Sequence, residues 1–280
     1  MGKKEKITAL LKANIGFLNA LELNIGQASD CRENKKFNEV VGFCEQVVTV
    51  IETYYKEKKD LVFLDCSCGK SYLSFVLNYV LSKEFAINTY FYGVDKNPVL
   101  IEKCKAVKDI LGFKNMCFIN NKIIDVKPEK VIDIVVALHA CDIATDEAIA
   151  KAIKIKARHI LVVPCCENNI RNRLKEGHPL MNITDFGLLR YRFANILTEA
   201  LRAQFLTGAG YSVRLVEIVS PKYTPKNLMI IAKRRRKNRK YSMNKFRNLD
   251  KMFNTEFVLQ SFFDDAQRSN QNECYKVLCG

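Results

Sequence analysis

An α/β fold built on a doubly wound, mostly parallel sheet of about seven strands is what this sequence predicts, and three observations carry it. Short continuous apolar runs, closed by Asp, Asn or Pro, recur between residues 61 and 163. Runs of that length without polar alternation suit strands buried on both faces. Segments of helical period separate them, the alternation that lays helices over one sheet. Two further strand-like segments close the pattern, near enough in sequence to pair as an antiparallel hairpin.

The elements follow in chain order. Residues 1–59 read as a helical N-terminal extension, because Phe37, Val40, Val41, Phe43 or Cys44, Val47, Val48 and Ile51 recur at helix spacing and no proline interrupts them. Then the period changes. Leu61–Leu64 is a first strand, ended by Asp65, Cys66, Ser67 and Gly69, and Tyr72–Leu81 a helix. Tyr90–Val94 is a second strand, closed by Asp95-Lys96-Asn97-Pro98 before a helix over Val99–Leu111. Met116–Ile119 and Val131–Leu138 make the third and fourth strands, Thr145–Ile153 a helix, and His159–Val163 a fifth strand stopped by Pro164. A polar stretch leads to a long helix through Tyr191–Phe205, and Tyr211–Val219 and Asn227–Ala232 are the closing strands. The domain core is thus expected over 60–233, followed by a basic tail, 234–280, with a modest helix near Leu249–Phe263.

Composition bounds the function classes. Of 280 residues, 48% are hydrophobic and 27% charged, which excludes a disordered or fibrous chain. Lys and Arg number 45 against 30 Asp and Glu, a net charge of +15. Seven of those positive charges fall within Lys233–Lys240. Such a surplus speaks for polyanionic partners, and Tyr241, Phe246 and Arg247 just beyond would add stacking to phosphate contacts, so RNA is the expected partner of this tail. No apolar run reaches the ~18 residues of a membrane span. The basic opening Met1–Lys6 resembles the start of a signal peptide, but Lys12, Asn14 and Asn19 interrupt the apolar run behind it. A soluble, cytoplasmic protein without membrane contact is expected, its eleven cysteines held as thiols rather than staples.

In an open parallel sheet, ligands sit beyond the carboxyl ends of the strands at the switch point. There stands Asp65-Cys66-Ser67-Cys68-Gly69-Lys70-Ser71, a turn in which Gly69 lets backbone amides approach a ligand. Asp95 follows 26 residues after Gly69, placed to accept ribose hydroxyls. A phosphate loop would need Gly-x-x-x-x-Gly-Lys-Ser/Thr, and a dinucleotide site three glycines; only Gly69 is present. A nucleoside cofactor without a pyrophosphate fits, and S-adenosylmethionine is one.

Asp65–Leu73, the run Ala137-Leu-His-Ala-Cys-Asp-Ile-Ala-Thr-Asp146, Val163-Pro-Cys-Cys166, Arg192–Arg202 and Thr224-Pro-Lys-Asn-Leu228 resemble the class I methyltransferase family that carries a Leu-His-x-Cys-x-x-Ala-Thr-Asp motif. That family includes the methyltransferase part of glutathione S-transferase C-terminal-domain proteins and is similar, more distantly, to tRNA 2′-O-methyltransferases. The resemblance spans about residues 61–233 and implies a Rossmann-like, seven-stranded class I methyltransferase sheet using S-adenosyl-L-methionine. It implies that Asp65–Ser71 hold the methionine part and Asp95, with Lys96 beside it, the ribose. Asn121, Lys122 and Ile123 would frame the adenine, and Leu138 and His139 the reaction mouth. Ser67 departs from the family's usual first Gly, and Lys122 from its usual acid.

The same resemblance leaves the chemistry divided. For transfer to a ribose 2′-oxygen, Asp142 or His139 would help remove the proton. Cys141 and Cys165 are similarly placed to the two cysteines of RNA 5-methylcytosine enzymes, which attack carbon 6 of the pyrimidine. A zinc site among Cys66, Cys68, His139, Cys141, Cys165 and Cys166 lacks the usual Cys-x-x-Cys spacing, so packing is the expectation and no metal is assigned. His159 and His178 read as structural. An RNA methyltransferase, ribose-directed, is expected, with protein or small-molecule methylation and a non-catalytic binding module as alternatives.

Overall fold

The computed structural model describes residues 2–23, 31–141, 143–174, 177–235 and 242–262. Its seven strands are β1 (Asp60–Cys66), β2 (Asn88–Asp95), β3 (Met116–Asn120), β4 (Ile134–Leu138), β5 (His159–Val163), β6 (Tyr211–Glu217) and β7 (Leu228–Arg234). They form one sheet in the order β3-β2-β1-β4-β5-β7-β6. The first five are parallel, and β7 runs antiparallel to both β5 and β6. The chain leaves β1 toward β2 on one side and later crosses to β4 on the other, so the switch point lies between β1 and β4. This is the seven-stranded α/β architecture that the alternating pattern predicts.

Pleating divides the side chains between two cores. Phe63, Phe91, Val136, Leu161 and Ile231 face one side, under α1 (Lys3–Lys12), α2 (Ile15–Ala20), α3 (Cys31–Tyr54), α4 (Tyr72–Glu84) and α5 (Pro98–Ile110). Leu64, Cys66, Val94, Val135, Ile160 and Ile230 face the other, under α6 (Ile143–Lys154), α9 (Gly187–Gly208) and α10 (Asn244–Phe253). Two short helices, α7 (Asn168–Arg173) and α8 (Met181–Thr184), occupy the polar stretch before α9.

The N-terminal region is helical as its periodicity requires, but in three pieces. Asn14 breaks the run by accepting the Phe17 N–H at 3.0 Å and capping α2. In α3 the stripe Phe37, Val40, Val41, Phe43, Cys44, Val47, Val48 and Ile51 is buried, each large side chain adding roughly 1.5–3 kcal/mol. Gly42 sets how closely α3 approaches the sheet, since a Cβ there would fall 2.1 Å from the Ile218 carbonyl oxygen. The fourth strand is shorter than its apolar run: Val131 is 85% exposed, and Asp133 turns its carboxylate to the Val62 N–H at 3.0 Å and to Lys58 at 2.5 Å. Pairing with β1 therefore begins at Ile134.

The helix expected near Leu249–Phe263 starts earlier, breaks after Phe253, where Asn254 takes a left-handed conformation, φ +46°, and resumes over 258–262; residue 263 lies outside the described residues. Phe246 meets Phe205 of α9 edge-on at 5.0 Å, so α10 packs into the second core. Cys44, Cys66, Cys68, Cys104, Cys141, Cys165 and Cys166 are free thiols, as expected, whereas Cys117 is disulfide-bonded. Among the described residues no helix is long and apolar enough to cross a membrane.

Candidate active site

The carboxyl ends of β1 to β5 converge on one edge, and the turn after β1 is the tightest feature there. Ser67, Gly69 and Ser71 all take left-handed backbone, at φ +59°, +56° and +54°. Gly69 does so without strain; the two serines do not, so the Ser67 departure from glycine is tolerated by strain rather than by another turn. The turn is tied down by Cys68 N–H to the Val94 carbonyl at 3.0 Å and by Gly69 N–H to Asp95 Oδ2 at 2.9 Å. Asp95 Oδ1 accepts the Asn97 N–H at 2.9 Å. Each oxygen of this half-buried carboxylate is thus fixed by one backbone donor and keeps lone-pair capacity for a further hydroxyl. Two diol hydroxyls are what such a carboxylate suits.

Asp65 lies behind the turn, 2% exposed, and accepts the Ser74 hydroxyl at 2.6 Å. Burial pushes its carboxyl up to about 7, opposed by the Ser74 hydrogen bond and reinforced by the Asp95 charge. A buried acid poised to ionise is a receptor for a cation such as an ammonium. Ser71 Oγ, also buried, makes no hydrogen bond of good geometry, leaving a polar atom for a ligand to satisfy. These features fit the amino-acid and ribose parts of S-adenosylmethionine.

The remaining expected contacts divide. Cys66 is fully buried and faces the second core, so only its backbone reaches the edge. Lys70 turns outward to pair with Glu22, and Lys96 and Lys122 are exposed. Asn121 spends its side-chain oxygen on the Lys122 N–H at 2.8 Å. Ile123 is buried in a 3₁₀ turn over Ile123–Asp125, and Leu138 is half-buried at the end of β4.

The reaction mouth is a cleft of about 300 Å³ lined by Lys35, Lys36, Glu39, His139, Cys165, Thr224 and Lys226. His139 has left-handed backbone, φ +59°, fixed by its N–H to the Val163 carbonyl at 3.0 Å. Its Nε2 meets Oε2 of Glu39 at 3.0 Å, and Glu39 is 4% exposed with Oε1 unpartnered. Lys226 Nζ reaches Glu167 Oε2 and Asn195 Oδ1, both at 2.5 Å. Of these, Glu39 was not singled out from the sequence, and Lys226 entered there only as a member of the Thr224-Pro-Lys-Asn-Leu228 run. Asp142 lies outside the described residues.

The cysteines separate into groups. Cys68 sits at the β1 turn, while Cys141, Cys165 and Cys166 gather with their sulfurs within 4.8 Å of one another. Cys141 and Cys165 are 3.3 Å apart. Burial and the adjoining Cys141 push the Cys165 thiol far up, so it is protonated at neutral pH and a weak nucleophile. The trio lies near the strand ends as read from the sequence, without Cys66 or Cys68. Two other motif residues are architectural: Asp146 and Arg202 form a buried pair, Nε to Oδ1 2.7 Å and Nη2 to Oδ2 3.2 Å, that locks α6 to α9.

Residues 35–173 match the family model described as "Methyltransferase domain". Glutathione S-transferase C-terminal domain-containing protein from Homo sapiens is 27% identical over 163 residues, 49% of this chain and 25% of that protein. Its Bos taurus counterpart is 26% identical over 192 residues, 60% of this chain and 29% of that one. The chain therefore spans about a quarter of the length of the curated relatives it matches. Among solved structures, magnesium protoporphyrin IX methyltransferase from Synechocystis PCC 6803 with bound SAH overlays at a TM-score of 0.47 and 15% identity, over 76% of this chain and 90% of that one. A putative rRNA-methylase from Clostridium thermocellum gives 0.46 and 11%, over 69% and 96%. The segment that carries the methyltransferase-domain match, residues 35–173, is the one that contains β1 to β5 and every strand end of the candidate site.

Proposed function

We propose that this chain is an S-adenosylmethionine-dependent methyltransferase acting on RNA, with the ribose 2′-hydroxyl as acceptor. The observation that carries the cofactor assignment is Asp95, whose two oxygens are each pinned by a backbone N–H beside the left-handed β1 turn. When bound, the cofactor supplies an electrophilic methyl group on a sulfonium. Asp65 would hold its ammonium, Asp95 its ribose diol, and Ser71 a polar atom of the amino-acid part.

The acceptor side rests on His139. Glu39 fixes the imidazole through Nε2 and so leaves Nδ1, which has no partner among the described residues, as the site for an incoming proton. As the 2′-oxygen is methylated, its hydroxyl proton would pass to His139 Nδ1. Lys35, Lys36 and Lys226 make the rim of the cleft cationic, which suits the phosphates flanking a target ribose.

A second reading is favoured by the exposure of Cys141 beside Cys165: a cysteine adduct to a pyrimidine ring. The protonated state of Cys165 weighs against it. Calorimetry with the demethylated cofactor tests the cofactor site, and absence of binding would refute it. Nucleoside mass spectrometry of tRNA and rRNA incubated with the chain and labelled cofactor tests the acceptor. Labelled 2′-O-methyl nucleosides are expected. Label on a base, trapping of a covalent complex on 5-fluorocytidine RNA, or label only in protein would overturn the ribose assignment.

A further inference from the structure

At the edge of the sheet opposite the candidate site lies a groove of about 720 Å³. Its walls come from the end of α3, the starts of β5 and β6 and the end of β7. Five cations line it, Arg158, Arg214, Lys233, Arg234 and Arg235, and among the described residues no Asp or Glu does. The antiparallel run of β7 is what gathers them: Lys233 stands opposite His159 and Ser212, and the Arg234 N–H donates to the Arg158 carbonyl at 2.9 Å.

Two of these cations rest on aromatic rings, and four have no counter-charge among the described residues. Lys233 Nζ sits 3.8 Å over the Tyr54 ring, and the Arg158 guanidinium 4.7 Å over Tyr55. Among the described residues none of Arg158, Arg214, Lys233 and Arg234 has a carboxylate partner. Beneath them lies His159, fully buried, with Nε2 unpartnered. The Tyr55 hydroxyl is 2.8 Å from His159 Nδ1 and 3.3 Å from the Asp133 carbonyl.

We propose that this groove seats the phosphodiester backbone of RNA, an anchor remote from the reaction cleft; this rests on the RNA reading above and adds a place and a length to it. Guanidinium forks match phosphate oxygens better than point charges do. The basic run Lys233–Lys240 leaves from the groove itself; its residues beyond 235 lie outside the described residues. Because α3 runs from Lys36 at the cleft to Tyr54 at the groove, the two sites are about 27 Å apart at 1.5 Å per residue. An A-form RNA duplex rises about 2.8 Å per step, so about ten base pairs span that distance.

The test uses the full chain, fluorescein-labelled bulk tRNA, and hairpin RNAs with stems of 4 to 16 base pairs, titrated across a salt series. For Arg158→Gln/Arg214→Gln/Arg234→Gln the slope of log affinity against log salt should flatten by about 2 to 3, and affinity should fall at least about tenfold. Wild type should favour stems longer than about ten base pairs, and the triple variant should lose that preference. Should the triple variant not fold, Arg214→Gln alone, on the edge strand β6, should flatten the slope by about 0.7 to 0.9. An unchanged slope in the groove variants, with loss only on neutralising Arg236, Lys237, Arg239 and Lys240, would overturn the groove and leave the RNA reading standing. Displacement of RNA by polyglutamate as readily as by unlabelled tRNA would assign the groove to acidic polypeptides instead. Absence of salt-dependent RNA binding by wild type would remove the RNA reading itself.

Discussion

Replacing Asp65 with asparagine is expected to stabilise the free chain while weakening it as a cofactor receptor. The carboxyl is held up to about 7, above all by burial, whereas an unfolded Asp titrates near ~3.9. Between those values the folded chain binds a proton that the unfolded chain does not. Stability contributed by this group therefore falls as pH rises from about 4 to about 7, and levels off above. From pH 5 to pH 8 the loss is about 2.7 kcal/mol, two pH units at about 1.36 each, or roughly 5 to 10 °C for a chain of this size. Asparagine keeps the shape and can still accept the Ser74 hydroxyl, so Asp65→Asn should escape that loss.

Melting temperatures of both proteins at pH 5 and pH 8 measure it: the lead of the variant over wild type should widen by several degrees between the two. Glu199, also raised to about 7 by burial, acts in the same direction but in both proteins, and cancels in the difference. If that lead does not widen, Asp65 is ionised in the free fold and the argument fails. On the cofactor side, wild-type affinity for the demethylated cofactor should rise about fivefold from pH 6 to pH 7 as Asp65 ionises. In the variant that rise should vanish.

Asp95→Ala should cost cofactor affinity about 1.5 to 3 kcal/mol for each ribose hydrogen bond lost, read by calorimetry; affinity within twofold of wild type would remove the ribose assignment. Gly42→Ala forces a methyl against the Ile218 carbonyl, so it should destabilise by about 1 to 3 kcal/mol in denaturant titration. It should also lower turnover by shifting Glu39 from His139, whereas a neutral change would mean α3 is free to slide. Arg202→Met removes the guanidinium that neutralises buried Asp146 and should cost about 3 to 5 kcal/mol. Adding Asp146→Leu should recover much of that loss, and a mild single variant would show the pair to be solvated.

The fold was legible because its strands advertise burial. A continuous run such as Leu61–Leu64 has no polar face to offer water, and its Asp65 stop marks where the backbone turns. Legibility ended where local pattern and tertiary bonding competed. Val131 reads as strand, but the Asp133 carboxylate reaches the Val62 N–H and ends the ladder. At the site, Asp65, Gly69 and Asp95 were visible as types at the right spacing, and the structure brings Gly69 and Asp95 into direct contact. Cys66 and Lys70 were not separable from their neighbours, because alternation along a turn does not say which side chain faces in. Asp146 and Arg202 came as motif members, and their partnership across α6 and α9 carries no signal in either segment alone.

Glu39 is the instructive omission, because a signal for it existed. The apolar stripe of α3, Phe43, Val47 and Val50 or Ile51, projects back one turn onto position 39, where an acid interrupts it. A charge on the buried face of a helix needs a partner, since an unpaired buried carboxylate is expensive. The candidates at the strand ends facing α3 include one imidazole, that of His139, whose left-handed backbone at the end of β4 aims it at the helix. The same helix carries Tyr54 to the far edge of the sheet. An extension that periodicity marks only as a cap is thus the element that orients the proposed base at one end and walls the basic groove at the other. Its burial against the sheet fixes the distance between them.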